Sequence, residues 1–320
     1  MGMTVESVRF LIEARKAGVS FNRVVTLGRQ GLWVSPERLV SLLAGADLLG
    51  KAEERHFQQT LAAAEWRFAA FLRGLGADSV AACDASGYEG ASLIQDFNRP
   101  IPADWADQYD AVIDGGTLEH VFNFPTAIAN AMQMVRPGGR LFLFTPGNNY
   151  LGHGFYQFSP ELFFRVLSAA NGFEMERLHA VVDTEGFASF LGVKYAFPIR
   201  GSRYAVRDPQ ELRQRVLLVN DAPVLLFVQA RKTASVPPFR EFPQQSDYVG
   251  QWQDGLAANP LQQSSRAGRL AGWLQRVFTE KFCRETLPRI AGWLDPLRGR
   301  RFWRGLSFRN RVAYRRVDGR

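Results

Sequence analysis

The stretch Tyr109–Asn123, YDAVIDGGTLEHVFN, decides the fold. Its first six residues, Tyr109 to Asp114, alternate and are apolar enough for a buried strand, and Gly115 and Gly116 end that strand. Thr117 to His120, TLEH, then lie beyond the carboxyl edge of a parallel sheet, where loops carry binding and catalytic residues. We therefore expect the functional site to include this loop.

A helix and a second strand follow this loop. Ala127 to Val135 has a helical pattern, and the sequence RPGG from Arg136 to Gly139 predicts a turn, because proline cannot continue a helix. Arg140 to Thr145, RLFLFT, predicts another buried strand, ended by Pro146. This strand–helix–strand unit has the length of a parallel crossover.

Taken together, YDAVIDGGTLEHV and RPGGRLFLFTP resemble the second half of a class I S-adenosylmethionine-dependent methyltransferase of the type 11-like kind. The resemblance covers residues 21–173, and a tail of the fold extends to residue 232. It implies an α/β fold with a doubly wound, mostly parallel, Rossmann-like sheet. It also implies S-adenosylmethionine as the cofactor.

The remaining elements agree with such a sheet. Ser35-Pro36-Glu37 predicts a helix start, since serine caps and proline suits the first helical position, and Ser159-Pro160-Glu161 predicts another. A helical face with a break near Gly50 is expected between residues 35 and 72. We predict further elements as follows: a helix within residues 1–20, strands at Asn22–Leu27, Ser79–Asp84 and Ser92–Asp96, and a hairpin of Arg215–Asn220 with Pro223–Arg231.

We predict three regions: a methyltransferase-like domain over residues 1–232, an extended linker over 233–265 and a helical, Arg-rich extension over 266–320. The linker is rich in Pro, Gln and Ser, so we expect an extended segment that either lies on the domain or connects it onward. Leu270 to Phe282 has the spacing of an amphipathic helix. Residues 298–320 hold nine arginines and one aspartate, so this tail alone accounts for the formal charge of +8.

Composition bounds the function classes. The chain has 320 residues with 46% hydrophobic and 22% charged residues, as in ordinary globular proteins, and no run of 18 apolar residues. Cys83 and Cys283 form no metal-ligand spacing, so we expect reduced thiols in a cytoplasmic protein and no metal site. The rest of the chain is close to neutral, which argues against nucleic-acid binding. Two interpretations of the basic tail remain open. It could contact an anionic surface, including the inner membrane, or its aromatic residues could fold back on the domain.

The resemblance also implies cofactor residues. Gly28 and Gly31 would form the glycine-rich turn, although the family's acidic residue and third glycine are missing here. Asp84 would bind the ribose hydroxyls and Asp96 the adenine, with a simple Asx turn as the alternative for Asp84. The residues expected to line the cofactor from the other side are Gly115, Gly116, Thr117 and Glu119.

Two histidines and a tyrosine are candidate catalytic or acceptor-binding residues. His120 could accept a proton from an attacking hydroxyl or amine, or could simply pack at the helix entry. His153 and Tyr156 lie in the loop after RLFLFT, where either could contact the acceptor or order the loop. Since the sulfonium is already activated, positioning supplies most of the acceleration, and no catalytic dyad is required.

We therefore expect an S-adenosylmethionine-dependent methyltransferase that acts on a hydroxyl or amine of a small molecule or glycan. The alternative is a non-catalytic scaffold or interaction protein that kept the fold and lost the cofactor. A nicotinamide-dependent oxidoreductase is a third hypothesis, which the missing fingerprint glycines disfavour.

Overall fold

The computed structural model describes residues 2–182, 202–220, 222–240, 242–253 and 307–317. The chain divides into two compact units. The first comprises residues 1–206, 221–243 and 316–320, and the second comprises residues 207–220 and 244–315. The predicted boundaries at residues 232 and 265 stay predictions, and the predicted helix at Leu270–Phe282 lies outside the described residues.

The first unit is built on a mixed sheet. Its strands are β1 (Arg23–Leu27), β2 (Ser79–Asp84), β3 (Leu93–Ile94), β4 (Tyr109–Asp114), β5 (Val135–Asn148), β6 (Phe173–Val182), β7 (Arg203–Val206) and β8 (Val224–Lys232). They lie in the order β3-β2-β1-β4-β5-β8-β6-β7. The first five run parallel, and β8 inserts antiparallel between β5 and β6. The doubly wound, mostly parallel fold is therefore confirmed.

The described part of this unit contains six α-helices. They are α1 (Val5–Lys16), α2 (Pro36–Ala44), α3 (Glu54–Ala63), α4 (Arg67–Gly74), α5 (Phe124–Met134) and α6 (Pro160–Val166). The predicted helix start at Ser35 is confirmed, because its side chain accepts a hydrogen bond from Arg38 N at 3.3 Å. No described helix is long and apolar enough to cross a membrane.

Aromatic residues fill the core between these helices and the sheet. Phe10 of α1 is fully buried and makes edge contacts with Phe142 and Phe144 of β5 and with Phe227 of β8. Phe21, just before β1, stacks on Phe142 with ring centroids 5.6 Å apart. Burial of so much aromatic surface fixes α1 on the face of β5 and β8.

Several predicted boundaries were wrong for physical reasons. The sequence RPGG is part of β5 and not a turn, because a register shift between β4 and β5 takes up the irregular residues. The helix before it begins at Phe124, since Pro125 is tolerated in a first turn. The predicted strand Ser92–Asp96 is only the pair Leu93–Ile94.

The predicted hairpin was also wrong. Arg215–Asn220 forms no strand, and Val224–Lys232 pairs instead with β5 and β6. Strands β6 and β7 were not predicted. The helical face expected beyond Gly50 is broken at residues 64–66, so it forms α3 and α4 as separate helices.

The second unit contains two described helices, α7 (Pro209–Leu212) and α8 (Ser246–Gln253). A short strand, β9 (Tyr314–Arg316), begins in this unit, and its last residue belongs to the first unit. Arg215 pairs with Asp247 at 2.7 Å. Of the Arg-rich tail, the structure describes residues 307–317, in which Ala313 and Tyr314 are buried and the arginines are exposed. Contact with an anionic surface stays a prediction.

Candidate functional site

Three of the predicted cofactor residues meet where the strand order reverses, at the carboxyl ends of β1, β2 and β4. Gly28 follows β1 with φ +75°, and its amide donates to Cys83 O at 2.7 Å. A Cβ at Gly28 would lie 2.8 Å from Thr117 Oγ1 and 3.8 Å from Asp84 Oδ2. Only glycine fits here, which gives the site its close backbone approach.

Gln30 fills the gap between the ends of β1 and β4. It is buried, and its amide nitrogen donates to Leu27 O and, at 3.2 Å, to Thr117 Oγ1. A Cβ at Gly115 would lie 2.7 Å from the Gln30 side chain, so Gly115 is glycine because Gln30 lies against it. The position that the family gives to a glycine therefore carries a side chain that points into the site.

The other residues of the predicted glycine-rich turn face away from Gly28. The amide of Met3 donates to Gly31 O at 2.8 Å, and a Cβ at Gly31 would lie nearest to Trp33. Arg29 pairs with Glu65 at 2.9 Å and lies over the Trp66 ring. Its charge is therefore already paired away from Gly28.

The two predicted aspartates differ in their surroundings. Asp84 is half-buried beside Gly28, and its Oδ1 accepts from the amide of Ala85 at 2.6 Å, so Oδ2 faces the site. Asp96 is exposed, and its Oδ1 accepts from the backbone and side chain of Asn98. The backbone hydrogen bond lowers the pKa of Asp96. The ribose role of Asp84 and the adenine role of Asp96 stay predictions.

Glu119, His120 and His153 form a compact cluster on the same edge. Leu118–His120 form a short 3-10 helix after β4, in which Glu119 is buried and His120 is exposed. Glu119 Oε1 lies 3.4 Å from His153 Nε2 and 3.9 Å from His120 Nε2. The two imidazole rings are in edge contact at 4.9 Å. Burial lowers the pKa of His120, against the opposing charge of Glu119.

The Glu119 carboxylate is fully buried, and neither of its oxygens has a hydrogen-bond partner among the described residues. The same holds for His153 Nε2. Burying a carboxylate without a donor is costly, so such an arrangement marks a site and not ordinary packing.

Asp114, the last residue of β4, adds a second buried carboxylate. Its Oδ1 accepts from the amide of Thr117 at 2.8 Å, whereas its Oδ2 has no partner in the described part of the chain. Burial, together with the charge of Glu119, raises the pKa of Asp114 well above its usual range. Asp114 therefore retains its proton more readily than an ordinary aspartate.

The loop after β5 closes over this cluster. The amides of Phe155 and Tyr156 donate to Glu119 O, and a Cβ at Gly154 would lie 2.8 Å from the same oxygen. The Tyr156 hydroxyl donates to Phe122 O at 2.6 Å. Tyr156 therefore orders the loop in this structure, and its catalytic role stays a prediction.

The sequence did not reveal Gln30 or Asp114 as site residues. Gln30 was missed because only the glycines of its turn were considered as site residues. The clue in the sequence is that it stands where the methyltransferase pattern has a glycine. Asp114 was assigned only to the strand, although an acid that ends a central parallel strand lies on the active edge. Gly116, with φ +101°, follows it and allows the turn towards Thr117.

Comparisons with known proteins found similarity to solved structures only. No family model matches the sequence, and no curated protein matches it. A methyltransferase-like protein of Bacillus halodurans has 14% identity over 71% of this chain and 99% of its own, with a TM-score of 0.36. The 1,6-didemethyltoxoflavin-N1-methyltransferase of Burkholderia thailandensis has 15% identity over 72% of this chain and 80% of its own, with a TM-score of 0.35.

A third solved structure, the branched-chain polyamine synthase of Thermus thermophilus, has 11% identity over 77% of this chain and 60% of its own, with a TM-score of 0.35. At these identities and scores no substrate or mechanism carries over to this chain. The case for function therefore rests on the residues at the carboxyl edge of the sheet.

Proposed function

We propose that this protein is an S-adenosylmethionine-dependent methyltransferase that acts on a hydroxyl or amine of a small molecule or glycan. The observation that carries the proposal is the meeting of Gly28, Asp84 and Thr117 at the point where the strand order reverses. Doubly wound folds bind their ligands at this point.

The residues at this site fit the ribose part of the cofactor well. Asp84 Oδ2 faces the site and can accept hydrogen bonds from ribose hydroxyls. Gly115, Gly116 and Thr117 offer backbone groups on the opposite wall. Gln30 occupies space beside Gly28, so its flexible side chain must turn away when the methionine part binds. When bound, the cofactor supplies an activated methyl group, and the chain's own task is to orient the acceptor.

The acceptor would lie against the loop after β5. His120 and His153 face each other there, and either imidazole could accept the proton that a hydroxyl or amine loses. Phe122 and Phe155 are exposed and in ring contact at 5.8 Å. Exposed aromatic faces next to polar groups suit the flat face of a sugar or an aromatic acceptor.

The test is calorimetric titration with S-adenosylmethionine and, separately, S-adenosylhomocysteine. We expect micromolar binding of both, weakened about ten- to a hundredfold by Asp84→Asn, which removes a charged hydrogen-bond acceptor. Asp104→Asn, at an exposed position outside the site, is the matched control and should bind as the parent does. Asp96→Asn tests the adenine role separately.

The second candidate is a non-catalytic scaffold, which the burial of Gln30 at the expected cofactor position favours. If neither ligand binds at millimolar concentration, the methyltransferase proposal is wrong and the scaffold remains. If binding occurs but Asp84→Asn leaves it unchanged, the cofactor lies elsewhere and the assignment of the site is wrong.

A further inference from the structure

We propose that Glu119, His120 and His153 bind a divalent transition-metal cation. Their ligand atoms, one from each side chain, all lie within 4.8 Å of one another. Two ligands about 2.1 Å from a tetrahedral metal are roughly 3.4 Å apart. The Glu119–His153 separation of 3.4 Å already has that value, and the 3.9 Å separation to His120 needs only a small side-chain movement.

The burial of the carboxylate is the independent observation that points to a ligand. Glu119 is fully buried, and in the part of the chain that the structure describes neither of its oxygens receives a hydrogen bond. An ionised carboxylate in such a place is strongly disfavoured unless a cation compensates it. Among the described residues, the groups within 4 Å of its oxygens that can carry positive charge are the two imidazoles.

The neighbouring Asp114 is the second buried carboxyl at this edge. Its Oδ2 is buried and without a partner in the described residues, and it shares this edge of the sheet with Glu119. Because burial raises the pKa of Asp114, this carboxyl favours its neutral form, and the cation would compensate Glu119 alone.

Two imidazoles and one carboxylate favour zinc, cobalt, iron or nickel over magnesium or calcium, which prefer oxygen ligands alone. Three protein ligands leave at least one coordination position open, as in catalytic rather than structural metal sites. His120 is half-exposed, so the open position is accessible from solvent.

The role of the ion, unlike its binding, rests on the proposed function. An acceptor oxygen bound at the open position would lose its proton more easily, because the metal lowers its pKa. With the ion bound, the metal would hold the nitrogen lone pairs of His120 and His153, so solvent, in place of either imidazole, would take the proton. The methyl group would then form its bond to that oxygen as its bond to the sulfonium sulfur breaks.

Our expectation of no metal site came from the spacing of Cys83 and Cys283, and the proposed ligands do not include a cysteine. The ligands come instead from an adjacent pair after β4 and from a histidine 33 positions later, after β5. This spacing does not indicate a metal site from sequence alone, because only the parallel crossover brings the two loops together.

The test is equilibrium titration of the chelator-treated, full-length protein with Co²⁺, whose visible absorption reports its coordination, followed by competition with Zn²⁺. We expect one equivalent to bind with a spectrum of four- or five-coordinate cobalt. Glu119→Gln and His153→Ala should each weaken binding at least about tenfold, as even the loss of an outer partner does. His56→Gln is the matched control, because His56 is an exposed imidazole outside the cluster.

Thermal unfolding without metal gives a second readout. Glu119→Gln keeps the size of the side chain and removes the uncompensated charge, so the metal-free variant should melt at or above the parent temperature. Zn²⁺ should raise the melting temperature of the parent and of His56→Gln, but not that of Glu119→Gln or His153→Ala.

Three results would overturn the proposal: no binding of Co²⁺ or Zn²⁺ by the folded parent, binding that Glu119→Gln and His153→Ala both leave intact, or an effect of His56→Gln as large as theirs. Should Glu119→Gln fail to fold, His153→Ala decides alone, since His153 lies in a partly exposed loop. Neither readout uses the methyl donor. Failure of the metal site and failure of the proposed function are therefore distinguishable.

Discussion

Gln30 is the residue that most directly controls whether the proposed site can hold a cofactor. Its side chain lies between Gly28 and Gly115 and is anchored on Leu27 O and Thr117 Oγ1. These bonds are neutral hydrogen bonds, each worth only about 1 kcal/mol net, so a ligand can displace the side chain. Gln30 is therefore a removable obstacle in the site.

Gln30→Gly should tighten the binding of S-adenosylmethionine about tenfold, which corresponds to roughly 1.4 kcal/mol. The physical reason is that the parent must break the Gln30 hydrogen bonds and expel the side chain before the methionine part can enter. Calorimetric titration of the parent and the variant measures the change.

Gln30→Met is the matched control, because it keeps the length of the side chain without adding a charge and should tighten binding less than Gln30→Gly does. Weaker binding by Gln30→Gly would contradict the prediction and would show that the amide contacts the cofactor. In that case the same residue would be a ligand-binding group and not an obstacle.

The sequence predicted part of this site and missed the rest for a definite reason. Gly28, Asp84 and Thr117 follow strands, and strand ends can be read from hydrophobic patterns. The inward direction of Gln30 depends on contact with the loop after β4, and the burial of Glu119 depends on the loop after β5. Neither contact is encoded within a short window of sequence.

At the scale of elements, Asp110 joins three strands at the edge opposite the site. Its Oδ2 accepts from the amide of Arg23 at the start of β1, at 2.9 Å. Its Oδ1 accepts from the Arg136 guanidinium of β5, through Nε at 2.9 Å and a second nitrogen at 2.5 Å. Asp110 thus holds the amino ends of β1, β4 and β5 in register.

Asp110→Asn should lower the free energy of unfolding at pH 7 by about 2 kcal/mol, the size of a hydrogen bond to a charged group. Burial alone would raise the pKa of Asp110, but the hydrogen bonds from Arg23 and Arg136 outweigh it and lower that pKa. A lowered folded pKa means that the stabilisation is present above the unfolded pKa of about 3.9 and is lost as the pH falls through the folded value.

Urea unfolding at pH 7 and near pH 3 measures this difference. The gap between the parent and Asp110→Asn should shrink at the lower pH, whereas the exposed Asp104→Asn should behave as the parent at both values. An equal gap at both pH values would show that Asp110 does not act through its charge.

The elements themselves were predictable to different degrees. Strands β1, β2 and β4 have β-branched or apolar patterns that do not depend on their neighbours. Strand β6 carries Glu174, Glu176 and Arg177, whose charges are accommodated only because Arg231, Arg140 and Glu13 pair with them. The paired residues lie far apart in sequence, and for this reason β6 was not predicted.

At the scale of the whole first unit, residues 233–239 return along the sheet and bind the corner before β6. The amides of Thr233 and Ala234 donate to Gly172 O at 2.7 and 3.3 Å, and the Phe239 amide donates to Asn171 Oδ1 at 3.0 Å. The Ser235 hydroxyl donates to Asp107 at 2.7 Å. These residues begin the segment that was expected either to lie on the domain or to connect it onward, and here they bind the fold.

This contact can be tested through Gly172, which has φ +72° and whose Cβ, if present, would lie 2.3 Å from Ala234 O. Because that oxygen belongs to the backbone, residues 233–239 would have to move. We expect Gly172→Ala to lower the free energy of unfolding by about 3 kcal/mol, from left-handed strain of about 1 kcal/mol and overpacking of about 2 kcal/mol.

Gly18→Ala is the matched control, since Gly18 has φ +87° and nothing within 4 Å of the added Cβ. It carries the same backbone strain without the steric contact, so urea unfolding should show a loss of only about 1 kcal/mol. The difference between the two variants measures how firmly residues 233–239 hold to the fold. Equal losses would mean that this segment moves aside at no cost, and that it behaves as the linker that its composition predicted.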